Sequence, residues 1–487
     1  MTFLRTIVLL VVTAVGIASC GGGGGGLASF SPSPGGGGGI GGSGITSSGE
    51  ITSFGSIFVN GIEFDTDTAE IEVNGERVDE DALGLGMVVL VEGTINEDGR
   101  TGVAERVVFD GAVRGPVESA SISEDGNALT LRVLGIAVVV DRRTAVVAGT
   151  AFEDIQENDL VEVSGFADTD GVLRATRLER IEAFVPNESA IDRQGNVDNL
   201  DGTTFTLGDL TVDAATADLT ALPGGSLAAN QPVLVSGTLV GTTITAETIE
   251  PTTDLRTVLP ADEQLVVQGL VSDLAGNNRF TVNAIPVDAG NANFELTSDA
   301  LRNGLLVQVT GTWNGETLIA ETVSSREGDI LVAASIGDID AGNDTVELDI
   351  LQRGLAVTVT SLTLIEDGTG QTTRPTLDAL RAGDYVVVEA NARGDALAAL
   401  RISRSRPRDN ALRGEIESIT SGVSIAVQGV TIDTAEVAFL DASGEALTPR
   451  AFYEQASVGD RVLVIDRQPA NGIADIVRRL DEASIRR

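Results

Sequence analysis

The side chains able to do chemistry in this chain are almost all carboxylates. Asp and Glu number 72 against 32 basic residues, every one of them Arg, and there is no His. Without His there is no Ser-His-Asp triad, no Cys-His dyad and no imidazole metal ligand. Without Lys there is no Schiff base and no Walker-type phosphate loop. What remains is acid–base work by paired carboxylates, hard-oxygen metal binding, or binding without catalysis. Five aspartates recur at matching positions, Asp65, Asp141, Asp213, Asp288 and Asp433, each at the end of an alternating apolar run. Two carboxylates flanking a cleft can hydrolyse glycosidic bonds. A carboxylate-dependent hydrolase acting on envelope or extracellular glycans is therefore one expectation. The competing expectation comes from position: Asp at a strand end commonly accepts a hydrogen bond from a nearby backbone amide. A catalytic pair also need not recur in every unit.

Calcium is the metal these residues could hold. "DTDG" (Asp168, Asp170, Gly171), "NEDG" (Asn96–Gly99) and "SEDG" (Ser123–Gly126) set hard oxygen ligands on tight turns, as Ca²⁺ sites do. Asp168 and Asp170 are the candidate ligands. None of the three matches an EF-hand loop, and acidic turns ending in Gly are also ordinary hairpin chemistry. No other cofactor is expected.

The single cysteine, Cys20, stands at the head of six glycines. Residues 1–19, "MTFLRTIVLLVVTAVGIAS", carry Arg5 and then an apolar run from Ile7 to Ala18, too short to span a bilayer and right for a signal peptide. "IASC" resembles the bacterial lipoprotein cleavage box, which implies a lipidated Cys20 at the mature amino terminus and a membrane reached through its acyl chains, palmitate among them. Two or more chains anchor stably where one does not. Gly21, in place of the Asp that retains lipoproteins at the inner membrane, implies the outer membrane, at its periplasmic face or the cell surface. Residues 20–47 form a Gly/Ser/Pro tether, whose flexible coil reaches about 30 Å.

A formal charge of −40 repels phosphate backbones, so nucleic acid is not an expected partner. Trp313, Tyr385 and Tyr453 are the only Trp and Tyr, and the 14 Phe are expected in cores. Carbohydrate recognition through polar loops stays open. One basic island, Arg401, Arg404, Arg406 and Arg408, and a second, Arg478, Arg479, Arg486 and Arg487, interrupt the acidic chain. They are expected to pair with neighbouring units, or else to dock an anionic partner.

The elements that must position these groups repeat. "GMVVLVEG" at 86, "NDLVEVSG" at 158, "NQPVLVSG" at 230, "GLLVQVTG" at 304, "GDYVVVEA" at 383 and "GDRVLVID" at 459 superimpose. Each opens with Gly or Asn, which tolerate positive φ. Each then places Val at its fourth and sixth positions, from Val89/Val91 to Val462/Val464. Period-two β-branched residues predict a strand with one face in a core. About a dozen residues later comes a fixed alanine, Ala104, Ala175, Ala246, Ala320, Ala399 and Ala474, implying close approach of a neighbouring strand. Before the Val strand lie an opening strand, a hairpin often ending in Asp-x-x-Thr (Asp65/Thr68, Asp141/Thr144, Asp213/Thr216) and a segment such as "DALG", "SDALRN" or "LDALRA" able to form a helical turn.

This order, three strands, a short helical turn and two strands, predicts an all-β tandem array of about six small five-stranded OB-like β-barrel domains. An SH3-like roll or an open sandwich fits the same order. The expected units are residues 48–112, 113–185, 186–252, 260–326, 328–406 and 410–483.

The pattern resembles the bacterial family called domain of unknown function 5666. Its hallmarks are an opening Gly-x-Ile/Val, a Val-x-Gly-Ile hairpin, Asp-x-x-Thr, and Leu-x-x-Leu-x-x-Gly-Asp-x-Val-x-Val-x-Gly. "LDALRAGDYVVVEA" from Leu377 and "IFVNGIEFDTDT" from Ile57 carry them best. The resemblance runs over about residues 48–483 and is weaker in the second and third units, where Asn replaces the turn glycine. It implies a fold and an envelope location, and no reaction. The expected function is that of a non-catalytic, lipid-anchored, scaffold- or adhesin-like binding array, with an envelope protein or polysaccharide as partner.

Overall fold

The computed structural model describes residues 43–481 apart from 124–127, 142, 147–153, 253–255, 257, 258, 260, 277, 297–300, 371, 373, 394 and 395. Cys20, the leader, most of the tether, Arg486 and Arg487 lie outside the described residues, and "SEDG" and "SDALRN" lie partly outside them. The described residues all belong to one compact unit, Gly41–Arg487.

The first copy of the repeated unit sets the pattern. Its opening strand, Ser43–Phe54, pairs through its far end with Ile57–Val59 and along its near end with the Val strand, Val88–Ile95. Ile57–Val59 pairs with Ile62–Asp65, which lies parallel to the last strand, Thr101–Phe109, and that strand returns antiparallel to the Val strand. The circuit of hydrogen bonds therefore closes in the order 1-2-3-5-4-1. The parallel pairing of third and last strands is the OB connection, and it decides between the barrels that the element order left open. It recurs at Val138–Val139 with Leu173–Arg174, Thr211–Asp213 with Thr243–Thr245, Val287–Asp288 with Leu318–Ile319 and Val357–Thr358 with Leu397–Ala398. In the third copy the opening strand is broken into Ala190–Asn196 and Asp198–Asp201. A sixth strand set, from Asn410–Thr420 to Ile476–Arg479, keeps the order, but its third strand, Val430–Asp433, pairs only with its second.

The repeated sequence signals explain this geometry. All twelve paired valines of the Val strands are at most 1% exposed, since alternation puts both on the inner face of the barrel. The turn residue one or two positions before each Val strand has positive φ in every copy: Gly86 77°, Asn158 68°, Asn230 60°, Gly304 79°, Gly383 91° and Gly459 93°. Asn is the non-glycine residue that enters this region at least cost, so the two Asn copies keep the turn. Among the described residues, short 3₁₀ turns precede Val strands at Glu80–Ala82, Pro223–Gly225 and Leu377–Ala379. In the sixth set the turn is a true α-helix, Pro449–Gln455, capped by Thr448 and holding Phe452 against Phe439.

In the first four copies the fixed alanine faces a glycine across a bulge, and in the fifth Ala399 faces Ala390 at the same shift. Gly93, Gly165, Gly237 and Gly311 sit opposite Ala104, Ala175, Ala246 and Ala320, each at a shift in register. A Cβ on any of these glycines would fall 2.1 Å from a main-chain carbonyl of the last strand. Gly311→Val is therefore expected to lower stability by about 1–3 kcal/mol through forced backbone displacement. Gly276→Ala, where a Cβ meets nothing within 4 Å, should change it by less than about 0.5 kcal/mol. Thermal unfolding followed by circular dichroism separates the two.

The copies pair through their opening strands, and neighbours in space need not be neighbours in the chain. The first joins the fourth, with Ile45–Ser48 parallel to Gln264–Val267. The second joins the third at Arg114/Asp192, and the fifth joins the sixth at Leu331–Ala333 with Ala411–Arg413. The result is three sheets, each built from two copies. Between the first and fourth copies Leu90, Val108 and Val266 pack across the contact, and a polar layer is closed off beside them: Thr46, Ser47, Ser48, Asn60 and Gln268 are all buried. Gln268 exchanges hydrogen bonds with Glu50, accepting from its N–H and donating to its carboxylate, both at 3.0 Å. Asn60 Nδ2 donates to Ser47 Oγ and to the Ser48 carbonyl.

Candidate functional site

The recurring aspartates come first, because they carried the catalytic expectation. Each uses one carboxylate oxygen to accept from the backbone N–H two residues on. Asp65 takes Asp67 at 2.9 Å, Asp141 takes Arg143 at 2.7 Å, Asp213 takes Ala215 at 3.0 Å, Asp288 takes Gly290 at 3.1 Å and Asp433 takes Ala435 at 2.9 Å. These are Asx turns, which let the chain leave the third strand. In the second copy the Thr of Asp-x-x-Thr completes the motif, with Thr144 Oγ1 donating to the carbonyl of the fixed Ala175 at 2.8 Å. The fifth copy does the same with Thr360 and Thr363, whose Oγ1 reaches the Ala399 carbonyl at 2.7 Å.

The turn acids behave alike. Asp168 Oδ1 accepts from Asp170 N at 2.9 Å and Val172 N at 3.0 Å, and Asp170 is exposed. Asp98 caps Arg100 and Thr101, and these bonds hold its carboxyl below the usual range. Among the described residues no group of three or more Asp, Glu, Cys or His side chains is placed to share a metal ion.

The first basic island divides. Arg401 and Arg404 are buried, whereas Arg406 and Arg408 are exposed. Arg401 grips Glu366 and also donates to the Arg143 carbonyl in the second copy, so it joins units as expected. Arg404 instead works inside the fifth copy, forked onto Asp367 and 3.4 Å from Asp384. Arg478 donates to the Ala442 carbonyl, and Arg479 pairs with Asp460 within the sixth set.

The densest constellation of charge lies where four copies meet. Glu50 of the first, Asp141, Arg143 and Arg174 of the second, Arg326 and Glu327 just past the last strand of the fourth, and Glu389 and Arg401 of the fifth surround a space of about 60 Å³. That holds a few waters and is far below the roughly 300–1,000 Å³ of small-molecule pockets. Glu327 is the hub, 3.2 Å from Arg302, 3.6 Å from Arg143 and 3.9 Å from Arg174, and it also accepts from Leu306 N at 3.1 Å. Burial opposes the charge on Asp141, but the Arg143 guanidinium beside it outweighs that and holds the carboxyl below its ordinary value. Burial likewise works against the charge on Arg143, and the carboxylates of Asp141, Glu389 and Glu327 overcome it, raising its affinity for the proton. A general acid needs the opposite, a carboxyl pushed upward. The arrangement acts as a lock.

Other arginines fasten copies the same way. Arg374 of the fifth copy donates to the Glu80 and Leu83 carbonyls of the first at 3.0 and 2.8 Å, and its guanidinium lies 3.9 Å from the Phe54 ring centroid. Arg177 of the second reaches the Leu85 carbonyl of the first at 3.1 Å, and Arg461 of the sixth reaches Asp329 of the fifth at 3.1 Å. A planar, five-donor group that stays charged when buried suits such carbonyl and carboxylate contacts better than an ammonium does. Sequence reasoning missed Arg143, Arg174, Arg302, Arg374 and Glu327. The available signal was the absence of Lys, which says that the basic residues serve recognition geometry rather than bulk charge.

Fold and junction together define a protein of tandem OB-like barrels fused into one body by strand pairing and arginine. The family model described as Domain of unknown function (DUF5666) matches residues 45–108, 114–179, 194–250, 268–324 and 335–403, and the chain belongs to that family. The sixth strand set lies outside these matches. No curated protein matches the chain. Among solved structures, a multidomain protein with nucleic acid binding domains from Streptococcus pneumoniae TIGR4 aligns with 12% identity and a TM-score of 0.11 over 47% of this chain and 75% of that one. A likeness at that TM-score defines neither fold nor ligand here.

Proposed function

We propose that the protein is a non-catalytic, lipid-anchored scaffold of the cell envelope, held at the outer membrane through Cys20 and presenting its copies to envelope proteins or polysaccharides. One observation carries this reading: copies far apart in the chain are locked to each other, while their recurring carboxylates are engaged with their own turns. A locked body keeps its outer faces at fixed spacing, so several weak contacts add without any one being strong. The same engagement of the acids counts against the hydrolase reading, which needs two carboxylates facing a cleft.

The test is photo-crosslinking of the full-length protein in cells, beside a Cys20→Ala variant. Metabolic labelling with a palmitate analogue should mark the parent and not the variant. A reproducible partner captured by the parent and lost with Cys20→Ala is the expected result. Labelling confined to the parent, with nothing captured, would remove the scaffold reading.

A further inference from the structure

The fourth copy carries a groove that neither the junction nor the strand pairing uses. It measures about 400 Å³ and runs over the outer face of Arg279–Val282 and Ile285–Asp288, between the end of the opening strand at Asp273–Ala275 and the loop at Asn314–Thr317. Alternation turns Phe280, Val282, Ile285 and Val287 into the barrel, where each is at most 3% exposed. It leaves Arg279, Thr281, Pro286 and Asp288 on the outer face, where all four line the groove. The floor is preformed. Arg279 donates to Asp288 Oδ2 from Nε at 3.2 Å and Nη2 at 2.8 Å, and Asn314 Oδ1 ties its loop by accepting from Glu316 N and Thr317 N. Beside these polar groups stands Ile319, 45% exposed at the start of the last strand.

The chemistry narrows the ligand. Both floor strands are paired on each side, Arg279–Val282 with Glu263–Ala275 and with Ile285–Asp288, and the latter also with Leu318–Ser325. No edge is open for an added peptide strand, so recognition must run through side chains. Among the described residues no Phe, Tyr or Trp is exposed, so nothing here can stack a nucleobase. Asp273 and Asp288 outnumber Arg279, and the chain carries −40 overall, which repels phosphate and uronate groups. Hydroxyl, carboxylate and guanidinium groups beside an aliphatic patch suit a ligand with a hydroxylated edge and a CH face. We infer that this groove binds a short stretch of an uncharged oligosaccharide. The assignment rests on the reading that the protein binds rather than cleaves, and it names one ligand class for that reading.

The full-length protein in detergent is titrated with neutral tetrasaccharides of glucose, galactose, mannose and N-acetylglucosamine, and with tetragalacturonate as the anionic control. Binding is read by saturation-transfer NMR and calorimetry. At least one neutral tetrasaccharide should bind and the control should not. Ile319→Glu, at an exposed position, should weaken binding about tenfold or more without moving the thermal midpoint, and Arg279→Ala should weaken it as well. No binding by any neutral member at millimolar concentration overturns the assignment, as does binding that neither variant changes. A protein partner captured in cells with no saccharide bound here would remove the groove and leave the scaffold. Saccharide binding with nothing captured would do the reverse.

Discussion

Arg404→Ala is expected to lower the stability of the fifth copy by about 3–5 kcal/mol, the cost of leaving a buried charge without its partner. The side chain of Asp367 is fully buried and that of Arg404 is 9% exposed. The carboxylate also accepts from Thr369 N and Thr372 N at 2.9 Å each, and Arg404 donates to the Ala379 carbonyl at 3.2 Å. One pair thus ties the 3₁₀ turn, the loop before it and the last strand. Arg406→Ala and Arg408→Ala, a few residues away on exposed chain, should each stay within about 0.5 kcal/mol. Guanidinium unfolding midpoints of the three variants make the comparison. An acid-side signature follows from the same pair. Burial penalises the Asp367 anion, but Arg404 and the Thr369 hydrogen bonds more than compensate, so its folded pKa lies well below the unfolded value of about 3.9. The stabilisation is present above the unfolded pKa and is lost as pH falls through the folded one. Unfolding midpoints of the parent should therefore drop on acidification below about pH 4, and Arg404→Ala should flatten that drop. Equal acid limbs would place the stabilising interaction elsewhere.

Trp313→Ala should cost about 3–5 kcal/mol, as large core truncations do. This sole tryptophan is 1% exposed at the end of the Val strand of the fourth copy, cross-strand from Glu263 and Leu318. Trp313→Phe is a sharper test. The indole Nε1–H is buried with no hydrogen-bond partner among the described residues, and such a donor carries a desolvation penalty of about 1–3 kcal/mol. Phe removes that penalty while giving up part of the packing, so the two effects oppose. The expected net change is within about 1 kcal/mol. Far-ultraviolet circular dichroism, which does not depend on the tryptophan, gives the midpoints. A loss for Phe equal to that for Ala would mean that the indole nitrogen has a partner after all.

Much of each barrel was legible in the chain, because a β-barrel has a simple local code. Val at alternate positions marks the inner face, Gly or Asn marks the left-handed turn, and the fixed alanine marks the bulge where two strands close up. Those signals act over a few residues, so Val161/Val163 and Asn158 report their geometry without knowledge of the rest of the molecule. The aspartates were legible in the same way, since an Asx turn is closed within three residues.

What covers the outside of a barrel is not a local property. Residues up to 47 read as flexible tether, with the first unit opening at residue 48, yet the opening strand starts at Ser43, and Thr46, Ser47 and Ser48 are buried in it. A second strand from more than two hundred residues away lies along it. Nothing in the period of the strand separates a face that meets water from one that meets hydrogen-bonding side chains of another copy. The charged junction is further removed still, because its members come from four copies and, apart from the Asp141–Arg143 pair, they find their partners far away in the chain. The sequence alone determined the order of elements along each unit, the inward faces and the turns, since each is set by short-range pattern within one unit. Only the tertiary structure decided that the first copy pairs with the fourth, that Arg143 and Arg401 are locks, and that the fourth copy leaves a groove open, because those depend on which surfaces come together when the copies pack.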